Sequence, residues 1–389
     1  MEPSVAPPLQ VGQRHTVTIT DIAFGGEGVA RIGSFVVFVP FVITGEEVEI
    51  EMTEVKRSFS RAKPIRILKR SPERVEPLCP YYGDCGGCQY EHISYPLQLE
   101  IKRKQIHELF KRIGGFHDDI IQPVVPCPEP YHYRNRIMIR SQWNKLKQGL
   151  EIGFLRHDNR LVVDIKECKI SEPEINEKLQ HVRAHPPYKG GIKVTIRKFP
   201  KNYHVPKESF FQNNFFLLPK LVEGVRDAVR SGGAKHLIDV YCGVGFFALE
   251  CADLVDRYIG VELDAQAIRS ARLNAENQQK TNGEFMEGRA EEMLPALLQK
   301  FSAEQTAVLV DPPRTGIPAD SLRQLATVRP MQLLYVSCHP ATLARDIGVL
   351  VTDGPYELRR VTPYDMFPQT QHVECIADLR LKQTAGSSQ

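Results

Sequence analysis

The chain of 389 residues and 44.1 kDa is long enough for two or three domains at about 100–200 residues each. Its 42% hydrophobic and 25% charged residues are ordinary for globular proteins and exclude a mostly disordered chain. The sequence has no apolar run of membrane-spanning length and no secretory signal at its start, and its nine cysteines are too few and too unevenly spaced for a disulfide scaffold. We therefore expect a cytoplasmic protein, and the net charge of +3 leaves its partner open.

A small β-barrel over residues 11–70 is the first predicted unit. Apolar and polar residues alternate there in short runs separated by glycine turns at Gly25-Gly26 and Gly45, a pattern typical of a barrel. Between positions 56 and 74, Glu73 is the one acid in a basic run. The cations of this run are Lys56, Arg57, Arg61, Lys63, Arg66, Lys69, Arg70 and Arg74. Such a run is usually a solvated face, but next to a barrel of the size that binds oligonucleotides we give RNA binding equal weight.

A cysteine cluster opens the second predicted unit, a β-rich central domain over residues 71–205. Cys79, Cys85 and Cys88 stand on a short loop whose glycines let the backbone wrap around a metal. A fourth ligand is needed, and we expect Cys168 to supply it. The spacing alone does not separate zinc from an iron–sulfur cluster.

Helical and aromatic patterns fill the rest of the central domain. Apolar residues recur at helical spacing over residues 96–113, which predicts a helix. Tyr131, Tyr133 and Trp143 are interleaved with basic residues, and this pattern suits stacking on bases. Each aromatic taken singly is better explained as part of a core.

Strand-like runs alternate with helical patterns in the third unit, residues 206–389. The runs are His236–Tyr241, Arg257–Val261, Ala307–Val310 and Gln332–Val336. This alternation predicts an α/β domain with a parallel, Rossmann-like sheet and helices on its faces.

A glycine turn follows the first of these runs. Gly243 and Gly245 would permit close approach of the backbone to a ligand, and Glu262 at the end of the next strand is placed to bind ribose hydroxyls. The pattern fits either a nicotinamide dinucleotide or S-adenosylmethionine, and a tight turn without any ligand is the third alternative. A nicotinamide dehydrogenase would leave the cysteine cluster without a purpose.

Cys338 lies between a predicted strand and a helix that begins near Pro340. A helix dipole at that position lowers the pKa of a thiol, so we expect a nucleophile there, although a lone cysteine is usually a small buried hydrophobe. Asp311 follows another strand in a loop stiffened by two prolines, at the sheet edge where ligands bind. Glu374 alternates with apolar residues in a later strand, and spacing alone does not make it a base.

Together these motifs resemble the RNA uracil-5-methyltransferase family, and the N-terminal barrel resembles the TRAM domain of its ribosomal-RNA members. The resemblance covers nearly the whole chain in order. Its segments are Phe211-Gln212, the loop from Asp239 to Gly245, Asp311-Pro-Pro-Arg-Thr-Gly, Ser337-Cys338-x-Pro-Ala-Thr-Leu-Ala-Arg-Asp and His372-Val-Glu374. The chain departs from the family at Phe246, where such enzymes often have asparagine.

The resemblance implies methylation of carbon 5 of a uridine in 23S ribosomal RNA, with S-adenosyl-L-methionine as methyl donor. Cys338 would add to carbon 6 of uracil, and Glu374 would remove the carbon-5 proton. The residues implied to hold the donor or the base are Gln212, Tyr241, Gly243, Gly245, Glu262 and Asp311. A [4Fe-4S] cluster is implied on Cys79, Cys85, Cys88 and Cys168, with a role in structure or RNA binding.

RNA is thus the expected partner, and one catalytic set per chain is consistent with a monomer. The same reaction on transfer RNA is the first alternative. The barrel and the cysteine cluster argue against it, because the transfer-RNA members usually lack both. The second alternative is a catalytically silent RNA-binding assembly factor, which the presence of both Cys338 and Glu374 disfavours.

Overall fold

A computed structural model of the chain describes residues 9–117, 119–186, 190–352 and 354–382. The end of the predicted catalytic domain, 383–389, therefore lies outside the described residues. Three β-sheets of six, four and seven strands follow one another along the chain. Among the described residues, no helix is both long and apolar enough to span a bilayer.

The six-stranded sheet forms the predicted N-terminal barrel. Its strands are β1 (Arg14–Thr18), β2 (Asp21–Ile22), β3 (Gly28–Ile32), β4 (Phe35–Val39), β5 (Glu47–Val55) and β6 (Ser60–Lys69), in the order β1-β5-β6-β4-β3-β2. Period-two alternation turns Val48 and Ile50 of β5 inward, where both are fully buried. The same core includes Tyr90, Ile93 and Ile101, so it draws on chain beyond position 70.

The basic run of the barrel is largely neutralised by carboxylates. Strand β5 lies beside β6, and Lys63 Nζ is 2.6 Å from Glu51 while Arg66 Nε is 3.8 Å from Glu49. The other ion pairs of the run are Lys56–Glu54, Arg61–Glu27, Arg70–Glu76 and Arg74–Glu46. Six of the eight cations thus have a carboxylate partner among the described residues, and Arg57 and Lys69 have none, so folding reduces the excess of positive charge expected from positions 56–74.

The helix predicted over 96–113 is present as α1 (Tyr95–Leu109) followed by a π-helical turn, Phe110–Gly114. It buries Ile106 and Phe110 against the third sheet and Ile101 against the barrel. Helix α1 therefore joins the two units.

The central sheet is antiparallel. It consists of β7 (Arg136–Asn144), β8 (Gly149–Leu155), β9 (Val162–Asp164) and β10 (Lys193–Arg197), in the order β10-β7-β8-β9, with helix α2 (Pro173–Ala184) between β9 and β10. Helix α2 packs on one face, where Ile175 and Leu179 meet Ile137 and Ile139 of β7. Of the aromatics expected to stack on bases, Tyr133 is fully buried and Trp143 is 56% exposed.

The seven-stranded sheet confirms the predicted α/β fold. Its strands are β11 (His236–Val240), β12 (Arg257–Glu262), β13 (Gly283–Glu287), β14 (Thr306–Val310), β15 (Gln332–Ser337), β16 (Tyr356–Tyr364) and β17 (Glu374–Leu381). The helices are α3 (Leu218–Gly232), α4 (Phe246–Cys251), α5 (Ala265–Asn277), α6 (Ala290–Lys300), α7 (Ala319–Val328) and α8 (Pro340–Thr352). The strand order is β13-β12-β11-β14-β15-β17-β16, in which β17 is antiparallel to both of its neighbours. Apolar clusters cover both faces.

Candidate active site

Strand register brings the candidate catalytic residues to one edge of the seven-stranded sheet. The parallel strands β12, β11, β14 and β15 all point their carboxyl ends to this edge, where ligands bind in such sheets. Ser337 pairs with Cys375 between the antiparallel strands β15 and β17. Continuing this register by one residue places Cys338 opposite Glu374. Because β17 lies beside β15, Cys338 and Glu374 are neighbours in the folded protein.

A cavity of about 800 Å³ opens at this edge. Most of the residues predicted to catalyse or to bind the methyl donor line it: Gln212, Tyr241, Gly243, Glu262, Asp311, Cys338 and Glu374. Gly245 is not among the lining residues. Arg314, to which the sequence analysis gave no role, is among them.

The glycine turn holds its shape through unusual backbone angles and a carboxylate. Tyr241 has a φ of 65°, and Gly243 a φ of 53°. The Glu262 carboxylate accepts hydrogen bonds from the backbone N–H groups of Gly243 (3.1 Å) and Leu263 (2.7 Å). A Cβ on Gly245 would lie 2.5 Å from the Phe285 ring. Gly245 thus serves the packing of α4, whereas Gly243 borders the cavity.

The electrostatic surroundings of Cys338 oppose the thiolate in the ligand-free protein. Burial raises the pKa of Cys338 to about 11, and the nearby Glu374 and Asp311 carboxylates act in the same direction. Only the Arg314 guanidinium acts to lower this pKa. The expectation of a lowered pKa from the helix position is therefore wrong for this state, because burial and two carboxylates outweigh the helix dipole.

Two carboxyl groups, those of Asp311 and Glu374, line the cavity together. Burial raises the pKa of Asp311 to about 7. Burial and the neighbouring Asp311 raise the pKa of Glu374 well above its usual range, and Arg314 partly offsets this. Perturbed pairs of this kind are typical of functional sites. A cation bound between them would favour ionisation of both groups.

Helix α8 positions the loop that carries Arg314. The Thr342 hydroxyl donates a hydrogen bond to the Arg314 carbonyl oxygen at 3.2 Å. The buried Asp346 carboxylate accepts the backbone N–H of Ile317 at 2.8 Å and the hydroxyl of Tyr335 at 2.8 Å. The signal that could have identified Arg314 is its place in the loop directly after Asp311.

The segment that precedes Glu374 is fixed by buried groups from helix α1. Lys102 Nζ lies 2.6 Å from the Asp365 carboxylate and 2.9 Å from the carbonyl oxygen of His372, and both charged side chains are almost fully buried. Gln98 donates to the Gln369 side chain at 2.9 Å. The candidate base is therefore held from a distant part of the sequence.

The barrel reaches the rim of the same site. The Phe24 ring, on the turn between β2 and β3, contacts the ring of His339 edge-on with centroids 6.0 Å apart. The neighbouring Gly25 approaches Gln371 so closely that a Cβ would lie 3.3 Å from the Gln371 side-chain oxygen. Phe24 remains 40% exposed, next to the residue that follows Cys338.

The four predicted metal-binding cysteines line one cavity of about 310 Å³ in the central domain. Burial raises the pKa of Cys85 to about 12 and that of Cys79 to about 11, so without a metal both are thiols. Within the described residues, no group of three or more His, Cys, Asp or Glu side chains is placed to hold a metal ion. The structure therefore places Cys79, Cys85, Cys88 and Cys168 around one cavity. Among the described residues, however, they are not arranged to hold a single metal ion.

Comparison with known proteins identifies the class. Residues 189–382 match the family described as tRNA (Uracil-5-)-methyltransferase, and residues 8–65 match the TRAM domain. An RNA methyltransferase of Bacillus cereus is 30% identical over 98% of this chain and 100% of its own length, and one of Oceanobacillus iheyensis is 29% identical over 97% and 98%. The tRNA (uracil-54, C5)-methyltransferase of Pyrococcus abyssi, solved with S-adenosyl-L-homocysteine, is 25% identical. It superimposes with a TM-score of 0.68 over 94% of this chain and 100% of its own.

The chain belongs to the RNA uracil-5-methyltransferase family. It is an S-adenosylmethionine-dependent enzyme with an N-terminal TRAM domain and a Rossmann-like catalytic fold.

Proposed function

We propose that the enzyme methylates carbon 5 of a uridine in 23S ribosomal RNA through a covalent adduct between Cys338 and the base. The observation that carries this proposal is the placement of Cys338 opposite Glu374 in the cavity that Glu262 and Asp311 also line. A nucleophile, a base and candidate donor-binding groups are there within reach of one bound uracil.

Cys338 would act first. Its thiolate adds to carbon 6 of uracil and makes carbon 5 electron-rich. Carbon 5 would then take the methyl group, as the bond between methyl and sulfonium sulfur breaks and S-adenosylhomocysteine leaves. Glu374 then removes the proton from carbon 5, the electron pair of that C–H bond re-forms the carbon 5–carbon 6 double bond, and the sulfur leaves carbon 6. Arg314 would stabilise the thiolate that must form before the addition.

S-Adenosylmethionine supplies an electrophilic methyl group on a sulfonium when it is bound. Gln212 is buried on the cavity wall, and its side-chain oxygen has no hydrogen-bond partner among the described residues. We therefore expect a hydrogen-bond donor of a bound ligand at this oxygen. Glu262 would bind the ribose of S-adenosylmethionine, while Tyr241, Gly243 and Asp311 would line its binding site. A positive sulfonium also fits beside carboxyl groups whose ionisation it would favour.

We propose that the four cysteines, which line one cavity, hold a [4Fe-4S] cluster, as the family resemblance implies. Zinc is the alternative that their spacing leaves open. Arg134, Arg140 and Lys169 also line the cavity and would offset the negative charge of four thiolates. Iron and sulfide analysis with electron paramagnetic resonance tests this proposal, and Cys88→Ser should abolish the signal.

Transfer RNA is the second candidate substrate, because the enzyme of Pyrococcus abyssi is a transfer-RNA methyltransferase that covers nearly this whole chain. Ribosomal RNA is proposed on the family resemblance of the sequence. The barrel does not decide between the two substrates, because the Pyrococcus abyssi enzyme aligns with 94% of this chain. For the domains, we propose the limits 11–70, 71–205 and 206–389, with RNA binding by the first and catalysis by the last. A monomer in the cytoplasm is also part of the proposal.

The deciding experiment offers labelled S-adenosylmethionine and unmodified transcripts of ribosomal and transfer RNA to the purified enzyme, followed by nucleoside mass spectrometry. We expect labelled 5-methyluridine in ribosomal RNA and none with Cys338→Ala. Glu374→Gln should instead accumulate a protein–RNA adduct that survives denaturing gel electrophoresis. Label in transfer RNA alone would overturn the ribosomal substrate, and full activity of Cys338→Ala would overturn the adduct.

A further inference from the structure

Two strands of the central sheet place cations directly opposite cations. In the register of β7 and β10, Arg136 faces Arg197 and Arg140 faces Lys193, with the 51% exposed Met138 between the two pairs. Directly opposite residues of antiparallel strands project from the same face of a sheet, and like charges there are destabilising. The protein therefore maintains a repulsive arrangement on this face.

The cations lie on one face of β7, and the opposite face is apolar. Ile137 and Ile139 alternate with the cations and lie buried under helix α2. Helix α2 thus covers the apolar face, whereas Met138 on the cationic face is 51% exposed.

No carboxylate compensates these charges. Within the described part of the chain, none of the four cations forms an ion pair with Asp or Glu, whereas Lys63 on the barrel strand β6 lies 2.6 Å from Glu51. Arg197 is only 8% exposed, and its Nη2 atom has no hydrogen-bond partner. Burial and the Arg136 charge lower the pKa of Arg197. A buried guanidinium beside a second cation is a costly arrangement unless an anion binds there.

The cationic face adjoins the active cavity. Arg197 Nη1 donates to the carbonyl oxygen of Ser209 at 2.6 Å, and Asn135 Nδ2 donates to the carbonyl oxygen of Gln212 at 3.0 Å. Ser209 and Gln212 both line the cavity that contains Cys338. The Arg140–Lys193 pair lies four residues farther along the strands, about 13 Å away. The four cations therefore form a row that leads away from the site.

We propose that the Arg136–Arg197 and Arg140–Lys193 pairs bind the sugar–phosphate backbone of the RNA strand that enters the active cavity. This inference rests on the proposed function for its RNA substrate. It assigns backbone binding to the central sheet and not to the paired cations of barrel strand β6. Phosphates would supply anions that no Asp or Glu of the described residues provides on this face, although Arg140 also borders the cysteine cavity.

The test measures affinity for a fluorescein-labelled, mixed-sequence single-stranded RNA by anisotropy over a range of salt concentrations. The variants are Arg136→Gln, Arg140→Gln and Lys193→Gln, with Lys63→Gln and Arg66→Gln on β6 as matched controls. One phosphate contact adds about 0.7 to the salt slope of single-strand binding, which is about a fourfold change in affinity at physiological salt. We expect the salt slope of each sheet variant to be about 0.7 smaller than that of the wild type and its affinity about fourfold lower. The two control variants should keep the slope and the affinity of the wild type.

The outcomes separate the inference from the proposed function. Equal slopes for the wild type and the three sheet variants, or losses confined to the β6 variants, would overturn the inference while methylation by the wild type continued. A wild type that neither binds nor methylates RNA would overturn the proposed function. Thermal unfolding without RNA controls for folding, and the sheet variants should unfold no earlier than the wild type, since each removes a repulsion.

Discussion

At the scale of single residues, the site combines a thiol and two carboxyl groups that do not ionise readily in the ligand-free protein. Cys338, Asp311 and Glu374 all have raised pKa values, and burial is the leading cause in each case. Arg314 is the positive group that opposes this tendency. At neutral pH the Cys338 thiol is therefore protonated in this structure.

Arg314→Gln should raise the pKa of Cys338 further, because it removes the neighbouring positive charge. An opposite charge at contact distance shifts a pKa by about 1–3, so thiolate at a fixed pH below the pKa should fall about tenfold or more. The measurement is the rate of iodoacetamide alkylation, followed on the Cys338 peptide by mass spectrometry.

The control for this prediction is Arg323→Gln. Arg323 is an exposed arginine on α7 that pairs with Asp320, and its loss should leave the alkylation rate unchanged. An unchanged rate in Arg314→Gln as well would show that the guanidinium does not act on the thiol.

Asp311 gives the ligand-free protein a dependence of stability on pH. The pKa of an aspartate is about 3.9 in an unfolded chain, and burial raises it to about 7 in the folded protein. Between these values the folded state keeps a proton that the unfolded state has lost, so stability falls as the pH rises from about 4 through 7. Asp311→Asn should remove this loss and be more stable than the wild type at pH 8.

Urea unfolding at pH 5 and pH 8 measures the Asp311 effect. The wild type should lose more stability between the two pH values than Asp311→Asn does, and the variant should also lose methylation. Parallel changes in the two proteins would show that the carboxyl group is not buried enough to matter.

At the scale of elements, the two glycines of the turn between β11 and α4 have different roles. Gly243 has open space at its Cβ position, whereas a Cβ on Gly245 would meet the Phe285 ring at 2.5 Å. Both have positive φ. The resemblance of the motif to a ligand-binding loop predicts a ligand-binding role for both glycines. Their packing indicates different roles.

Gly245→Ala should destabilise the protein by about 3 kcal/mol or more, through the clash and the left-handed backbone. Gly243→Ala should cost about 1–2 kcal/mol in stability and should weaken binding of S-adenosylhomocysteine more than its stability loss explains. Thermal unfolding and calorimetric titration of both variants make the comparison. Equal stability losses would contradict the division of roles.

Local patterns predicted β11, β12, β14 and β15 of the α/β sheet to within a residue or two, and also the helix that begins at Pro340, but not β13 or β16. These features depend on periodicity and turn residues close together in sequence. The pairing of β15 with β17 could not be predicted, because it depends on a strand that returns after β16. Nor could the neutralisation of the basic run, where Lys63 meets Glu51, or the pKa of Cys338, since sheet pairing and burial depend on tertiary structure.

At the scale of the whole molecule, the barrel is not an independent unit. Its core contains Tyr90, Ile93 and Ile101, and Gln105 of α1 donates to the carbonyl oxygens of Ile22 and Ala23. The domain limit proposed at position 70 therefore separates the sheets but not the cores.

Deletion of residues 1–70 should expose Tyr90, Ile93 and Ile101 and make the remaining chain aggregate. Each buried apolar side chain of this size contributes about 1.5–3 kcal/mol, so the truncated protein should also unfold at lower temperature. Size-exclusion chromatography and thermal unfolding measure both effects. Replacing the three residues with glutamine should restore solubility to the truncated chain, and a truncated chain that stayed monomeric with an unchanged Tm would show two independent units.

The position of β17 also has a consequence for the order in which the protein becomes an enzyme during synthesis. Strand β16 is translated before β17, yet it reaches β15 only through β17. A nascent chain that already displays Cys338 therefore has neither a closed sheet nor Glu374 beside the thiol. Nucleophile and base meet only when β17 inserts between two strands made earlier. We expect chains that end before β17 to form no 5-methyluridine, because Glu374 is not yet part of the fold.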